Sequence, residues 1–155
     1  INIDPEMIKS IVIEAGGEPT IAVTKTDKSK TLFTLQDIPE GGKPKSTTLI
    51  SSFGSLLTDL RFDDVLSSKR LTGAMPIRST TVKLFGNAEI TLLDYSLRGK
   101  VYTKIKIEKS QNGEAIANPE FSKYALKNEH KKWIYLLPRY KRRILERKFT
   151  SLLHK

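Results

Sequence analysis

KKWIYLLPRYKRRILERKFTSLLHK, residues Lys131 to Lys155, is the stretch whose reading decides the fold. Its apolar and aromatic run, Trp133 to Leu137, stands between lysines and Pro138. A run that short and that rich in strand formers reads as a buried strand. Proline is tolerated in the first turn of a helix, where its missing N–H leaves nothing unpaired, so Pro138 marks a strand-to-helix boundary. The spacing then predicts a helix over Arg139 to Leu153, with Leu145, Phe149, Leu152 and Leu153 on one apolar face and Tyr140 and Ile144 on another. Lys141 and Lys148 project between these faces and must snorkel or meet a partner. Trp133 and Tyr135 are expected to pack inside rather than to serve as stacking platforms.

The charge follows the same stretch. The chain has 155 residues, with 27 Lys and Arg against 17 Asp and Glu, a net of +10. From Lys123 onward eleven basic residues face only Glu129 and Glu146, so this end carries +9 and the first 122 residues +1. A field that one-sided favours an anionic partner: acidic lipid headgroups, an acidic protein face or nucleic acid. The residues assigned to that surface are Lys131, Lys132, Arg139, Lys141, Arg142, Arg143, Arg147 and Lys148. Basic and aromatic interleaving is also the composition of a nucleic-acid surface. The plainer alternative is a solvated helix face.

The length fits one domain over residues 1–155, with a core that needs no metal or disulfide. The absence of cysteine excludes a disulfide framework, thiolate chemistry and cysteine-ligated zinc without fixing the compartment. The chain opens at Ile1 without a signal pattern, and no apolar run approaches the ~20 residues that span a bilayer. The expectation is an excised or processed fragment, with any membrane anchor upstream.

Ahead of the closing stretch, Ile8 to Glu14 and Thr20 to Lys25 flank Ala15-Gly16-Gly17-Glu18-Pro19 and read as a hairpin. A third strand-like run covers Thr31 to Leu35. The loop Ile38 to Lys45 is a break, since Gly41-Gly42-Lys43 lacks the spaced glycines and following Ser/Thr of a phosphate-binding loop. Ser46 to Arg61 has the clearest helical period: Leu49, Ile50, Phe53, Leu56, Leu57 and Leu60 fall on one stripe, Ser46 or Thr47 can cap, and Gly54 lies opposite. Asp63 and Asp64 are expected to turn the chain and stay solvated, and Ser67 to Arg78 to be a connecting loop.

Thr80 to Phe85, Ala88 to Leu97 and Lys100 to Lys109 read as a three-stranded meander turning at Gly86-Asn87 and Arg98-Gly99. Val101, Thr103, Ile105 and Ile107 alternate inward against Tyr102, Lys104, Lys106 and Glu108. In the middle strand the apolar phase shifts between Ile90, Leu92 and Leu93, Tyr95, Leu97, which suggests a bulge or burial on both sides. Ser110 to Pro119 reads as a polar loop and Glu120 to Asn128 as a short helix with Phe121, Tyr124 and Ala125 inward.

No catalytic constellation emerges. His130 stands among lysines and His154 at a terminus, both read as surface residues, and Ser51 and Ser52 lack a nucleophile elbow. No catalytic residue, metal ligand or cofactor is assigned. The segments LFTLQDIPEGGKPKSTTLISSFGSLLTDLRFDDV, TTVKLFGNAEITLLDYSLRGKVYTKIKI and KKWIYLLPRYKRRILERKFTSLL, together spanning Leu32 to Leu153, resemble the bacterial family catalogued as domain of unknown function 4340. The family pattern has a glycine where this chain has Lys132 and an acidic or polar residue in place of Leu136, and its last helix is less basic. The resemblance implies an upstream transmembrane anchor and an extracytoplasmic, periplasmic location, in proteins sometimes found with gliding-motility and exporter-type components. It carries no catalytic residues.

The expected fold is α+β: a mostly antiparallel sheet from the N-terminal hairpin, the central meander and the C-terminal strand, with the Ser46 and Arg139 helices on one face. The expected function is a non-enzymatic extracytoplasmic module binding a protein partner or an anionic membrane surface. The alternative is a nucleic-acid-binding module using the basic C-terminal helix.

Overall fold

The strands Ile8–Ala15 (β1), Ile21–Thr24 (β2), Thr34–Leu35 (β3), Asp64–Ser67 (β4), Arg78–Leu84 (β5), Ala88–Leu97 (β6), Lys100–Lys109 (β7) and Trp133–Leu136 (β8) form one sheet in the order β3-β2-β1-β5-β6-β7-β8-β4. Every pairing is antiparallel. The structure is a computed structural model, and it describes residues 1–109 and 128–154. The expected loop Ser110 to Pro119 and the helix begun at Glu120 lie outside the described residues, apart from Asn128, which opens a 3-10 turn over Asn128–Lys132.

The architecture is α+β with a large antiparallel sheet. A three-residue turn, Phe85 to Asn87, joins β5 to β6 and a two-residue turn, Arg98-Gly99, joins β6 to β7, with positive φ at Gly86 (101°), Asn87 (67°), Arg98 (52°) and Gly99 (78°). That backbone matches the right-handed twist of paired strands. These strands do not stand apart as a meander, because β1 pairs along the free side of β5 over seven registered residue pairs and makes them the middle of one sheet. The expected bulge in β6 is absent: its register to β5 and to β7 is unbroken, and the irregularity falls in β1 between Ile8 and Ser10. The phase shift in β6 reflects the other expectation, burial on both sides. Ala88, Ile90, Leu92 and Asp94 are buried on one face, while Tyr95 is buried on the other, opposite Tyr102.

The segment read as a loop after Phe62 contributes an edge strand. Asp64 to Ser67 pairs with β8, and the Ser68–Leu71 turn follows. Asp64 does not turn the chain; its side chain accepts from the Tyr102 hydroxyl at 2.7 Å. The third N-terminal strand is shorter than expected, only Thr34–Leu35, and Leu32 is exposed while Phe33 is buried.

Both expected long helices are short. The first is α-helical only over Thr47–Ser51 (α1), capped by the Ser46 side chain accepting from the Leu49 N–H, and continues as a 3-10 turn over Ser52–Ser55. Serine hydroxyls compete for its carbonyls: Ser52 Oγ donates to Leu49 O at 2.6 Å and Ser55 Oγ to Ser52 O at 2.8 Å. The N-terminal residues occupy other groups, with the Ile3 N–H on Leu57 O and the Leu60 N–H on Ile1 O. Asp59, at φ 46°, then ends the run. The apolar stripe still goes inward: Ile50, Phe53, Leu56, Leu57 and Leu60 are buried with the inner face of the sheet, and Leu49 packs against that core in part. Gly54 is buried too, and a Cβ there would stand 2.7 Å from Phe33 Cε2 and 3.3 Å from Pro5 Cβ. It therefore does not face away from the core.

The closing helix is Arg139–Leu145 (α2), with Pro138 as its N-cap at φ −58° and ψ 149° and Glu146 as its C-cap. Lys148 is extended and Phe149–Leu152 is a 3-10 turn. Leucines and the phenylalanine expected inside do reach the core: Leu145, Phe149 and Leu152 are buried, joined by Ile144. Backbone bonds from the Lys45 N–H to Leu152 O and from the His154 N–H to Lys43 O fasten this end to the Pro44 loop.

Candidate anionic-partner surface

The assigned cations do not share one surface. Lys131 and Lys132 are exposed at the end of a 3-10 turn ahead of β8, whereas Arg139 begins α2 beyond it. The four strand residues of β8 alone separate them by about 13 Å at a rise of ~3.3 Å per residue. Adjacency in sequence therefore does not make these two groups one patch.

Two of the assigned residues point inward, which removes Lys141 and Arg147 from the assigned surface; Lys141, expected between two apolar faces to snorkel or meet a partner, meets its partner within the fold. Lys141 is 4% exposed. Its Nζ donates to the carbonyls of Ser55 and Thr58, the latter at 2.7 Å, and lies 5.4 Å from the centroid of the Tyr140 ring. Burial lowers the Lys141 pKa from its ordinary value, with the Asp59 carboxylate opposing. Arg147 reaches back in the same way: Nη1 donates to Leu49 O at 3.2 Å and to Ser52 Oγ at 2.6 Å, with the guanidinium 5.1 Å from the Phe53 ring centroid. Burial lowers the pKa of this guanidinium as well. The broken helical ladder after Ser51 frees carbonyls, and the two cations of the closing segment supply donors to them.

The remaining positions divide. Arg142 is half-buried, and its Nε is buried with no hydrogen-bond partner among the described residues. Lys148 is exposed and pairs with Glu18 at 3.4 Å, linking the turn between β1 and β2 to the C-terminal segment. A pair that exposed contributes about 0–1 kcal/mol. Arg139 and Arg143 are exposed one turn apart on α2, and Tyr140 beside them is 57% exposed. Of the two strand aromatics, Tyr135 is buried and stacks on Phe62 with centroids 4.1 Å apart, whereas Trp133 is 40% exposed, contrary to its expected packing role. His130 is half-buried and its Nδ1 lies 3.1 Å from the Tyr135 hydroxyl, so it is not a free surface histidine; His154 is exposed.

One charged cluster was missed in the sequence. Asp94, 1% exposed, accepts from Thr103 Oγ1 at 2.6 Å and from Arg78 Nη1 at 2.9 Å. Desolvation raises its pKa, the two hydrogen bonds and the Arg78 charge oppose that rise, and Glu146 adds to it. A signal existed: Asp94 continues the inward phase of Ala88, Ile90 and Leu92 in β6. Arg78 also lines a cleft of about 120 Å³ with Ile13, Pro19, Leu145, Glu146 and Arg147. Pockets for drug-sized ligands hold about 300–1,000 Å³, so this cleft admits a few waters.

Among the described residues no group of three or more His, Cys, Asp or Glu could hold a metal ion, and no helix is long and apolar enough to cross a membrane. Compared with known proteins, the chain matches no family model, no curated protein and no solved structure.

Proposed function

We propose that the chain is a non-enzymatic binding module of a membrane-anchored bacterial protein, held on the extracytoplasmic side, where the outer side of α2 meets an anionic membrane surface. The observation that carries this reading is the exposed trio Arg139, Tyr140 and Arg143, none of whose side chains makes a hydrogen bond or ion pair among the described residues. Tyrosine with an apolar ring and a polar tip suits the headgroup boundary, and arginine beside it adds charge attraction. Near an anionic leaflet each Lys or Arg is worth about 1 kcal/mol, so the two arginines supply about 2 kcal/mol. That is enough to orient a tethered domain and too little to hold a free one. The tether and the location rest on the likeness to the 4340 family.

The test is co-sedimentation with anionic and with neutral vesicles at low salt, comparing the wild type with Arg139→Gln/Arg143→Gln. Binding to anionic vesicles only, lost in the double variant and weakened by salt, is the expected result. Equal binding by wild type and variant removes α2 from the interface. Parallel titration with single- and double-stranded nucleic acid decides the other class: tight, steeply salt-dependent binding there would replace the membrane by phosphates. Binding to none of these ligands ends the membrane reading and leaves an acidic protein face as the partner.

A further inference from the structure

The two edges of the sheet are built differently. At one end β3 is two residues long, and the loop residue Gln36 bonds back through its N–H to Ala22 O. A very short strand is one of the ways in which proteins blunt an edge. At the other end β4 has four residues, pairs only with β8 among the described strands, and contains neither proline nor lysine nor a bulge. Val65 on this edge strand is 44% exposed, and the register that sets Val65 against Tyr135 and Ser67 against Trp133 puts the exposed indole on the same face.

The charges along this edge are ordered. Asp63 and Asp64 precede the apolar pair Val65 and Leu66, and Lys69 and Arg70 follow Ser67 and Ser68. All four charged side chains are exposed. Lys131 and Lys132 reinforce the basic end, because Ser68 Oγ donates to the Lys131 carbonyl. Acidic residues at the head of the strand and basic residues in the 3-10 turn that follows it make the segment complementary to its own antiparallel copy. If Leu66 pairs with Leu66 of a second copy, Asp63 comes opposite Lys69, and the two-fold axis repeats the contact.

We propose that β4 is a self-association edge: a second copy of this chain adds its own β4 antiparallel across a two-fold axis, joining two eight-stranded sheets into one. Main-chain hydrogen bonds hold such an edge, and the charge order fixes its direction. The strand is short and the two chains carry +10 each, so the dimer is weak and forms at micromolar or higher concentration. This surface lies on the β4 side of β8, so the proposal does not depend on what α2 binds.

The test is sedimentation equilibrium of the whole chain across a wide concentration range, with two charge variants, Asp63→Lys and Lys69→Glu/Arg70→Glu. All three positions are exposed, and circular dichroism confirms that each variant is folded. The wild type should dimerise; each variant alone should lose about tenfold or more in association, since like charges then face each other. An equimolar mixture of the two should regain it, because each lysine or glutamate again meets its opposite. That recovery is a result that a folding defect cannot produce. A wild type that stays monomeric at millimolar concentration overturns the proposal, and so do variants that dimerise like the wild type or a mixture no better than its parts.

Discussion

Two segments of this chain carry the same apolar helical period and differ in almost everything else. Between Ser46 and Leu60 the only charged residue is Asp59, whereas Arg139 to Lys148 carries six cations and one carboxylate. Both segments start as α-helices, both change to 3-10 turns, and both bury their leucines in one core. In the first, serines and the N-terminal residues draw carbonyls and N–H groups out of the helical ladder. The second answers with Lys141 and Arg147, whose long side chains cross to those carbonyls. A basic segment is thus partly an internal donor set, and its charge overstates the surface left for a partner.

The strongest way to break this comparison is Lys141→Met, which keeps the apolar stem and removes both donors. Charge-assisted hydrogen bonds contribute about 1.5–3 kcal/mol each, and relief of the buried ammonium offsets part of that, so the expected loss is about 2–4 kcal/mol. A chemical denaturation midpoint shifted down at unchanged slope is the readout; an unchanged midpoint would mean that the lysine is passive filling.

Next in size is Gly54→Ala. An ordinary helix would gain up to about 1 kcal/mol from this change. Here the added Cβ meets the Phe33 ring at 2.7 Å, so the protein should instead lose about 1–3 kcal/mol by overpacking. The sign of the change in melting temperature separates the observed 3-10 turn, which faces the core, from a regular helix with Gly54 outside.

A smaller effect concerns the end of α2, where Glu146 adds to the raised pKa of Asp94. A carboxyl held above its ordinary value of 3.8 binds its proton more readily in the folded chain than in the unfolded one. Its contribution to stability is fully present below about pH 3.8 and is lost as pH rises through the raised folded value. Asp94→Asn should flatten that part of a stability–pH profile; an identical slope in the variant would show that other carboxyls set it.

The least change is expected on the outer side of the same helix. Arg139→Gln/Arg143→Gln should stay within about 0.5 kcal/mol of the wild type in stability, as exposed substitutions do. A loss comparable to that of Lys141→Met would erase the distinction between inner and outer cations.

The comparison also shows what could be read in advance. The hairpin, the turns at Gly86-Asn87 and Arg98-Gly99, and the strand before Pro138 follow from local chemistry, since positive-φ residues, alternation and proline act within a few residues. The stripe from Ile50 to Leu60 was legible as core, but its backbone was not: Ser51, Ser52, Ser55 and Thr58 were visible warnings against a long helix. Of the candidate surface, exposure of Lys131, Lys132, Arg139, Arg143 and Lys148 agrees with the composition, whereas Lys141 and Arg147 could be placed only once their carbonyl partners were known.

The sequence by itself determined the α+β class, the antiparallel pairing of neighbouring strands and which leucines and isoleucines are inside, because periodicity and turn chemistry are properties of short windows. Only the tertiary structure decided that Asp64 to Ser67 is an edge strand beside β8, that Asp94 meets Arg78 and Thr103, and that two lysine- and arginine-borne charges lie within the fold. Each of these contacts joins residues far apart along the chain or on different strands. A side chain's charge says that it needs a partner; the packing of distant segments decides whether that partner is water, another molecule or the chain's own backbone.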